Sequence, residues 1–178
     1  QLNPHLMKTL IKKGFVFTLA AMLLSSISWA QQGKPSPAAT ATGKINDATI
    51  TINYSSPAVR GRQVYGSDLV PYGKIWRAGA NAATVFETDK DVTIGESKLP
   101  AGKYGLFTIF NEKDVTVIFN KTWKQWGAFT YDEANDQLRI KTGLDEEKKS
   151  EETMKFTISP KGEVTLLWGT KKVEFDVN

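Results

Sequence analysis

The segment from Val59 to Ala82 contains the residues of this chain best suited to hold a polar or anionic ligand. The chain has four arginines, and three of them lie here. Arginine presents a planar fork of N–H donors that can hold a carboxylate or phosphate through two parallel hydrogen bonds. Tyrosine and tryptophan offer flat faces for a sugar ring or another planar group. The predicted ligand-binding residues of this segment are Arg60, Arg62, Tyr72, Trp76, Arg77 and Asn81.

The same segment also fits a purely structural role. It runs for about two dozen residues without a clear strand or helix pattern, and such long connections are commonly functional or specially packed. Arg77 can pair with a carboxylate such as Glu87 or Asp132 and so fix the loop to the sheet. Trp76 can cover one open end of the hydrophobic core. The residues alone leave both interpretations open.

A second aromatic group lies in residues 122–133, TWKQWGAFTYDE. We predict that Trp123 and Trp126 are stacking surfaces for a ligand and that Tyr131 and Asp132 belong to the same site. A carboxylate there can accept hydrogen bonds from sugar hydroxyl groups. The alternative is that these aromatic side chains form one edge of the core, and the sequence does not decide between the two.

Most hydrolase mechanisms are excluded by the residues that the chain lacks, and an enzyme here would have to use carboxylates, Lys, Tyr or Arg. It has no cysteine, and its only histidine is His5, which lies in the N-terminal leader described below. The remaining chain therefore has no thiol nucleophile, no Ser-His-Asp triad and no Cys or His metal site. We predict no catalytic residue, no metal and no cofactor. The remaining enzymatic alternative is a glycan-active enzyme that uses two carboxylates, drawn from those near the two segments: Asp68, Glu87, Asp132 and Glu133.

Residues 1–30 have the layout of a secretory signal peptide that starts at Met7. A lysine-rich start precedes an apolar run of about a dozen residues, and small residues follow at the cleavage site. The apolar run is too short for a retained membrane span. We therefore predict a periplasmic or secreted protein without a membrane anchor after cleavage. The leader contains three lysines and no acid, so 20 basic residues face 19 acidic ones in the remainder. This balance gives no reason to expect a nucleic acid partner.

The rest of the chain alternates between apolar and polar residues, as half-buried strands do. Residues 31–43 are rich in Pro, Ala and Thr and are predicted to be a flexible linker. Residues 44–178 are predicted to form one all-β domain, an antiparallel, jelly-roll-like β-sandwich of eight or nine short strands. The acidic segment 144–153 is interpreted as a solvated loop, with a calcium loop as the alternative.

Four sequence blocks identify a resemblance that covers residues 44–178. They are YSSPAVRGRQVYG, LVPYGKIWRAGAN, LPAGKYGLFTI and WGAFTYDEANDQLR, in this order. They resemble the bacterial domain-of-unknown-function family 2911, whose members are exported proteins. The resemblance implies a fold and a compartment but no reaction. It also marks a departure, because Ala82 stands where members commonly have glutamate; an acid acting there would be missing from this chain.

These observations favour an exported, non-catalytic protein that binds a small or glycan-like polar or anionic ligand. In this hypothesis Arg62 and Arg77 hold the anionic group, Trp76 stacks on the ligand and Asn81 orients it. A structural or protein-interaction module is the first alternative and the carboxylate enzyme is the second. The oligomeric state does not follow from the sequence.

Overall fold

The structure, a computed structural model, describes residues 36–178, and in this range the chain is almost entirely β-structure. The predicted signal peptide, residues 1–30, lies outside the described residues. The predicted all-β, antiparallel, sandwich-like fold is confirmed. The strands are β1 (Ala38–Ile45), β2 (Ala48–Ser55), β3 (Ile75–Trp76), β4 (Thr84–Thr88), β5 (Val92–Ile94), β6 (Ser97–Leu99), β7 (Gly102–Phe110), β8 (Asp114–Asn120), β9 (Asp136–Ile158) and β10 (Glu163–Asp176).

Eight of the strands form one curled antiparallel sheet. Its order is β1-β2-β4-β7-β8-β9-β10, with β3 paired to β7, and β5 and β6 form a separate hairpin. The curl brings the first strand against β9. A side-chain carbon added at Gly43 would lie only 2.4 Å from Cγ2 of Ile158, so the two strands approach closely where glycine leaves room.

The core lies inside this curl and follows from the period of two along each strand. In β2 and β4 the side chains of Ile50, Ile52 and Phe86 are fully buried, whereas the intervening residues face outward. The strands β7 and β8 are apolar on both faces, as expected of central strands, and one face contributes to the main core. The other face forms a small separate cluster of Ala83, Phe107 and Ile118.

The structure has ten strands in the described range, and two of them are much longer than the sequence predicts. The acidic segment 144–153, interpreted as a loop, is the middle of β9. Its charges are accommodated because β10 places lysines opposite them: Lys171 pairs with Glu146, and Lys172 pairs with Asp145, each at 3.5 Å. Opposite charges across a strand pair are favourable where both faces are wet.

The prediction of a flexible linker over residues 31–43 is wrong for its C-terminal end, because a strand begins there. Strand β1 begins at Ala38 and pairs along its whole length with β2, from Ala38 opposite Ser55 to Ile45 opposite Ala48. Its pattern of exposed and half-buried residues is that of an edge strand with small side chains. Ala and Thr in this stretch therefore form a strand, because pairing with β2 supplies the stability that their small apolar area does not.

We expect Gly162→Ala to lower the free energy of unfolding by about 1–2 kcal/mol, measured by urea denaturation. Gly162 has a φ of 95°, and a side-chain carbon added there would lie 2.1 Å from the carbonyl oxygen of Val177. The Gly162 carbonyl also accepts a 2.8 Å hydrogen bond from the Val177 amide. Gly143→Ala is the control, because no atom lies within 4 Å of that position; an equal loss in both variants would contradict the prediction.

Candidate functional site

The irregular segment 59–82 is fixed to the sheet by backbone hydrogen bonds. The amides of Val59, Gly73 and Ala80 donate to carbonyl oxygens of neighbouring strands over 2.8, 2.8 and 3.2 Å. Three of the four non-glycine residues with positive φ in the described range lie in this segment: Arg60, Ala78 and Asn81. Non-glycine residues in this conformation are strained and are found preferentially at functional sites. The strained Ala78 directly follows Arg77.

Trp76 lies in the core, where its ring is covered by other aromatic side chains. It is 5% exposed and stacks on Trp168, with ring centroids 5.9 Å apart and planes inclined by 12°. Its edge-to-face contact with Phe110 has a centroid distance of 5.8 Å. The two aromatic partners cover the ring that the sequence analysis assigns to a ligand.

Arg77 lines a cavity of about 130 Å³ beside the Trp76–Trp168 stack. Its Nε atom is buried and has no hydrogen-bond partner among the described residues, and the same holds for Nε1 of Trp168. Burial lowers the pKa of the Arg77 guanidinium. No acidic residue of the described range lines this cavity; the lining residues are Ser36, Pro57, Arg62, Leu69, Trp76, Arg77, Gly79, Ala80 and Trp168.

Arg77 does not form an ion pair with Glu87 or Asp132, the two carboxylates that were predicted to fix the loop to the sheet. Glu87 pairs instead with Lys103 at 3.2 Å. Asp132 caps a single 3₁₀ turn, Glu133–Asn135, by accepting a 3.0 Å hydrogen bond from the amide of Ala134. Arg77 therefore remains a half-buried cation without an ion-pair partner in the described part of the chain.

Arg62 connects this cavity to a second one of about 290 Å³. Its Nε and Nη2 atoms donate to the carbonyl oxygens of Val59 and Ala58 over 3.0 and 2.6 Å, which fixes the guanidinium in place. The larger cavity is also lined by Tyr65 and by Tyr72, which is 39% exposed. We call the two cavities, which share Arg62 as a lining residue, the arginine cleft.

The remaining two predicted residues of the segment lie outside the arginine cleft. Arg60 is exposed, and its amide donates to Oε1 of Glu152 over 2.8 Å. Asn81 is also exposed, and its carbonyl oxygen accepts a 3.0 Å hydrogen bond from the amide of Gly127. Asn81 therefore connects the segment to the second aromatic group through its backbone, and its side chain donates over 3.4 Å to the carbonyl of Ser36, which lines the smaller cavity.

The second aromatic group lies on the outer face of the sheet. Trp126 is 65% exposed and Trp123 is 37% exposed. They line a shallow cavity of about 310 Å³ whose floor includes Ala82, Ala83 and Val85. We call the two indoles and this floor the tryptophan platform. The core-edge alternative does not describe these two residues, because neither belongs to a buried cluster of the described range.

Tyr131 and Asp132 do not line the platform cavity. The Tyr131 ring packs on Phe107 at a centroid distance of 5.1 Å. Its hydroxyl donates to Oδ2 of Asp136 and accepts from Nη2 of Arg139, both over 2.7 Å. Burial, together with the hydrogen bond to Asp136, raises the pKa of Tyr131 to about 12. This network holds the end of the aromatic loop against β9.

Sequence reasoning missed two parts of the site. The alternation of Val164, Leu166 and Trp168 predicts that Trp168 lies in the core, and nothing in that pattern indicates that this residue also lines a cavity. Lys103 was not considered, yet its Nζ lies 5.5 Å from the ring centroid of Trp123. Its position opposite Glu87 follows from the pairing of β4 with β7, which a single sequence does not give.

Residues 36–178 contain no group of three or more metal-ligating side chains that could hold an ion. In the same range, no helix has the length and apolar character needed to cross a membrane.

Comparison with known proteins places the chain in a family but gives no activity. No curated protein and no solved structure matches it. A family model described as a protein of unknown function, DUF2911, matches residues 36–177. This match covers nearly all of the described domain, so the chain belongs to the DUF2911 family.

Proposed function

We propose that this protein is an exported, non-catalytic binding protein whose arginine cleft holds the acidic group of a small polar ligand. The observation that supports this proposal most directly is the half-buried Arg77, which lines a cavity and whose buried Nε atom lacks a hydrogen-bond partner in the described range. Export rests on the sequence of residues 7–30 alone. A neutral extension of the ligand lies along the larger cavity beside Tyr72.

The electrostatics of the cleft favour an anion. Removing a cation from water is costly unless an opposite charge or hydrogen-bond acceptors replace the lost hydration. No carboxylate of residues 36–178 does this for Arg77. A carboxylate ligand supplies both an opposite charge and acceptors. Trp168 also lines the cavity, and its buried Nε1 has no hydrogen-bond partner in the described range.

The volumes of the two cavities indicate which part of such a ligand each cavity can hold. The cavity beside Arg77 has a volume of about 130 Å³, which is below the roughly 300–1,000 Å³ of typical ligand sites. It therefore accepts one functional group and not a complete ligand. The cavity of about 290 Å³ is lined by the buried Tyr65 and the exposed Tyr72, whose ring is available to the rest of the molecule, and Arg62 lines both cavities.

The carboxylate-enzyme alternative receives less support from the geometry. Glu87 and Glu133 are each paired with a cation, Lys103 and Arg139, at 3.2 Å. Asp132 serves as the cap of the 3₁₀ turn. None of these acids lines the arginine cleft. A substrate bound to Arg77 would therefore have none of these candidate catalytic carboxylates next to it.

Arg77→Met is expected to weaken anion binding on the order of 10- to 100-fold, because it removes charge-assisted hydrogen bonds. The probes are acetate, citrate, inorganic phosphate and D-glucuronate, with D-glucose as the neutral counterpart of glucuronate. A probe at 100 times its dissociation constant adds about 2.7 kcal/mol of stability. For a domain of this size the thermal midpoint then rises by about 5–10 °C, and this rise is the measurement.

The unfolding free energy of Arg77→Met without probe should stay within about 1 kcal/mol of the parent, since no ion pair is broken. Arg60→Met is the matched control: Arg60 lies in the same loop but does not line the cleft, so anion binding should persist. A flat response to all four anions, or a loss of about 3–5 kcal/mol in Arg77→Met itself, would contradict the proposal and favour a structural role for the loop.

A further inference from the structure

A second, separate feature of the molecule is the tryptophan platform on the outer face of the sheet. Four large apolar or aromatic side chains are markedly exposed in the described range, and three of them lie within residues 123–129. These are Trp123, Trp126 and Phe129, the last being 86% exposed. Exposed aromatic side chains in one short segment, rather than scattered singly, indicate an interaction site.

The platform is held in place before any ligand arrives. The carbonyl of Gln125 accepts a 3.0 Å hydrogen bond from the amide of Ala83, and the amide of Gly127 donates to Asn81 over 3.0 Å. Both bonds fix the loop to the residues just before β4. A binding surface that is already ordered loses less conformational entropy on binding, so the exposure of the two indoles is a built feature of this loop.

The shape of the platform fits a ring lying between two indoles. The floor consists of Ala82, Ala83 and Val85, which are small enough to leave a cavity of about 310 Å³ between Trp123 and Trp126. This volume is at the lower end of the range for small-molecule sites. A flat apolar face on a ligand can therefore contact the indoles without displacing any side chain of the sheet.

Near the platform lie one positively and one negatively charged side chain, which offer a hydrogen-bond donor and an acceptor. Lys103 lies with its Nζ 5.5 Å from the centroid of the Trp123 ring and pairs with Glu87 at 3.2 Å. Glu87 shares the outward face of β4 with Val85. Both charged side chains are partly exposed, at 45% and 38%, so a donor and an acceptor stand beside the aromatic surface.

We propose that the tryptophan platform binds a neutral saccharide, one of whose rings lies against Trp123 and Trp126. A pyranose ring combines an apolar face of C–H groups with hydroxyls that need both donors and acceptors at its edge, which is the combination found here. Charge does not select the ligand here, because Glu87 is paired with Lys103 and Lys124 also lines the cavity; the apolar ring face on the two indoles is what favours a saccharide. This proposal does not depend on the arginine cleft, which has its own lining residues.

The test is titration of the full chain with cellohexaose, xylohexaose, mannohexaose, maltohexaose and chitohexaose, followed by isothermal calorimetry and tryptophan fluorescence. We expect at least one of them to bind, and Trp126→Ala to weaken that binding tenfold or more. Trp123→Ala should have a similar effect, and Trp126→Phe should retain part of the affinity. Arg77→Met should leave saccharide binding unchanged, so failure of this proposal is distinguishable from failure of the arginine cleft.

Three results would overturn the proposal. The first is the absence of binding to all five oligosaccharides. The second is binding that neither Trp123→Ala nor Trp126→Ala affects. The third is concentration-dependent self-association that Trp126→Ala abolishes, measured by sedimentation, because the platform would then be an interface between copies of this chain. The thermal midpoint of each variant, expected to match the parent, shows that the fold is intact.

Discussion

Replacing Trp76 by alanine is expected to lower the free energy of unfolding by about 3–5 kcal/mol. Its indole is 5% exposed and packs between the rings of Trp168 and Phe110, so its removal leaves a cavity in the main core and two aromatic side chains without their partner. Buried aromatic pairs also contribute roughly 0.5–1.5 kcal/mol beyond their buried area. Urea denaturation monitored by circular dichroism measures the change.

Trp126→Ala is the matched control for Trp76→Ala, because it makes the same chemical change at a ring that is 65% exposed. We expect it to change stability by no more than about 0.5 kcal/mol. Trp76→Phe should fall between the two, since it keeps an aromatic ring in the stack. A Trp76→Ala variant that unfolds like the parent but no longer responds to anions would show that Trp76 contacts the ligand directly.

The strands of this domain are predictable wherever one face is buried. Ala48, Ile50, Ile52 and Tyr54 alternate with polar residues, and the structure buries the first three and half-buries Tyr54. The middle of β9 could not be predicted in this way because most of its residues are exposed on both faces. It is a strand because its backbone pairs with β10, where Lys171 and Lys172 lie opposite Glu146 and Asp145, and this pairing depends on a register that one sequence does not reveal.

The site was predictable in composition but not in arrangement. The concentration of arginine and aromatic residues in 59–82 marked the segment, and the structure places Arg62, Trp76 and Arg77 around one cavity. It separates this cavity from the platform that Trp123 and Trp126 line. The separation follows from which face of the sheet each residue occupies, since Trp76 joins the main core whereas the floor residue Ala83 joins the outer cluster.

A buried amide connects the sheet to the aromatic loop. Asn120, the last residue of β8, is fully buried. Its Oδ1 accepts from the amide of Thr122 over 2.9 Å, and its Nδ2 donates to the carbonyl of Asp132 over 2.9 Å and to Oδ1 of Asp136 over 2.7 Å. One side chain therefore fixes both ends of the loop that carries the tryptophan platform.

Asn120→Ala is expected to lower the free energy of unfolding by roughly 2–4 kcal/mol, because it leaves three polar groups without their partner, one of them on a carboxylate. The side chain of Asp136 is only 8% exposed, so its carboxylate cannot recover full hydration without movement of the loop. Urea denaturation measures the loss. Hydrogen exchange at the Thr122 amide should accelerate more than exchange in β2, since the loop loosens before the sheet opens.

The same variant tests whether the order of the loop matters for binding. Under conditions in which Asn120→Ala remains folded, the platform proposal requires weaker saccharide binding although neither indole has been changed, because a loosened loop must be ordered on binding. Asn111→Ala is the matched control: it removes a side-chain hydrogen bond of 2.8 Å to Asp114 at the exposed β7–β8 turn. It should cost less than about 1 kcal/mol and leave binding intact. Unchanged saccharide affinity in folded Asn120→Ala would show that the indoles bind without a preordered loop.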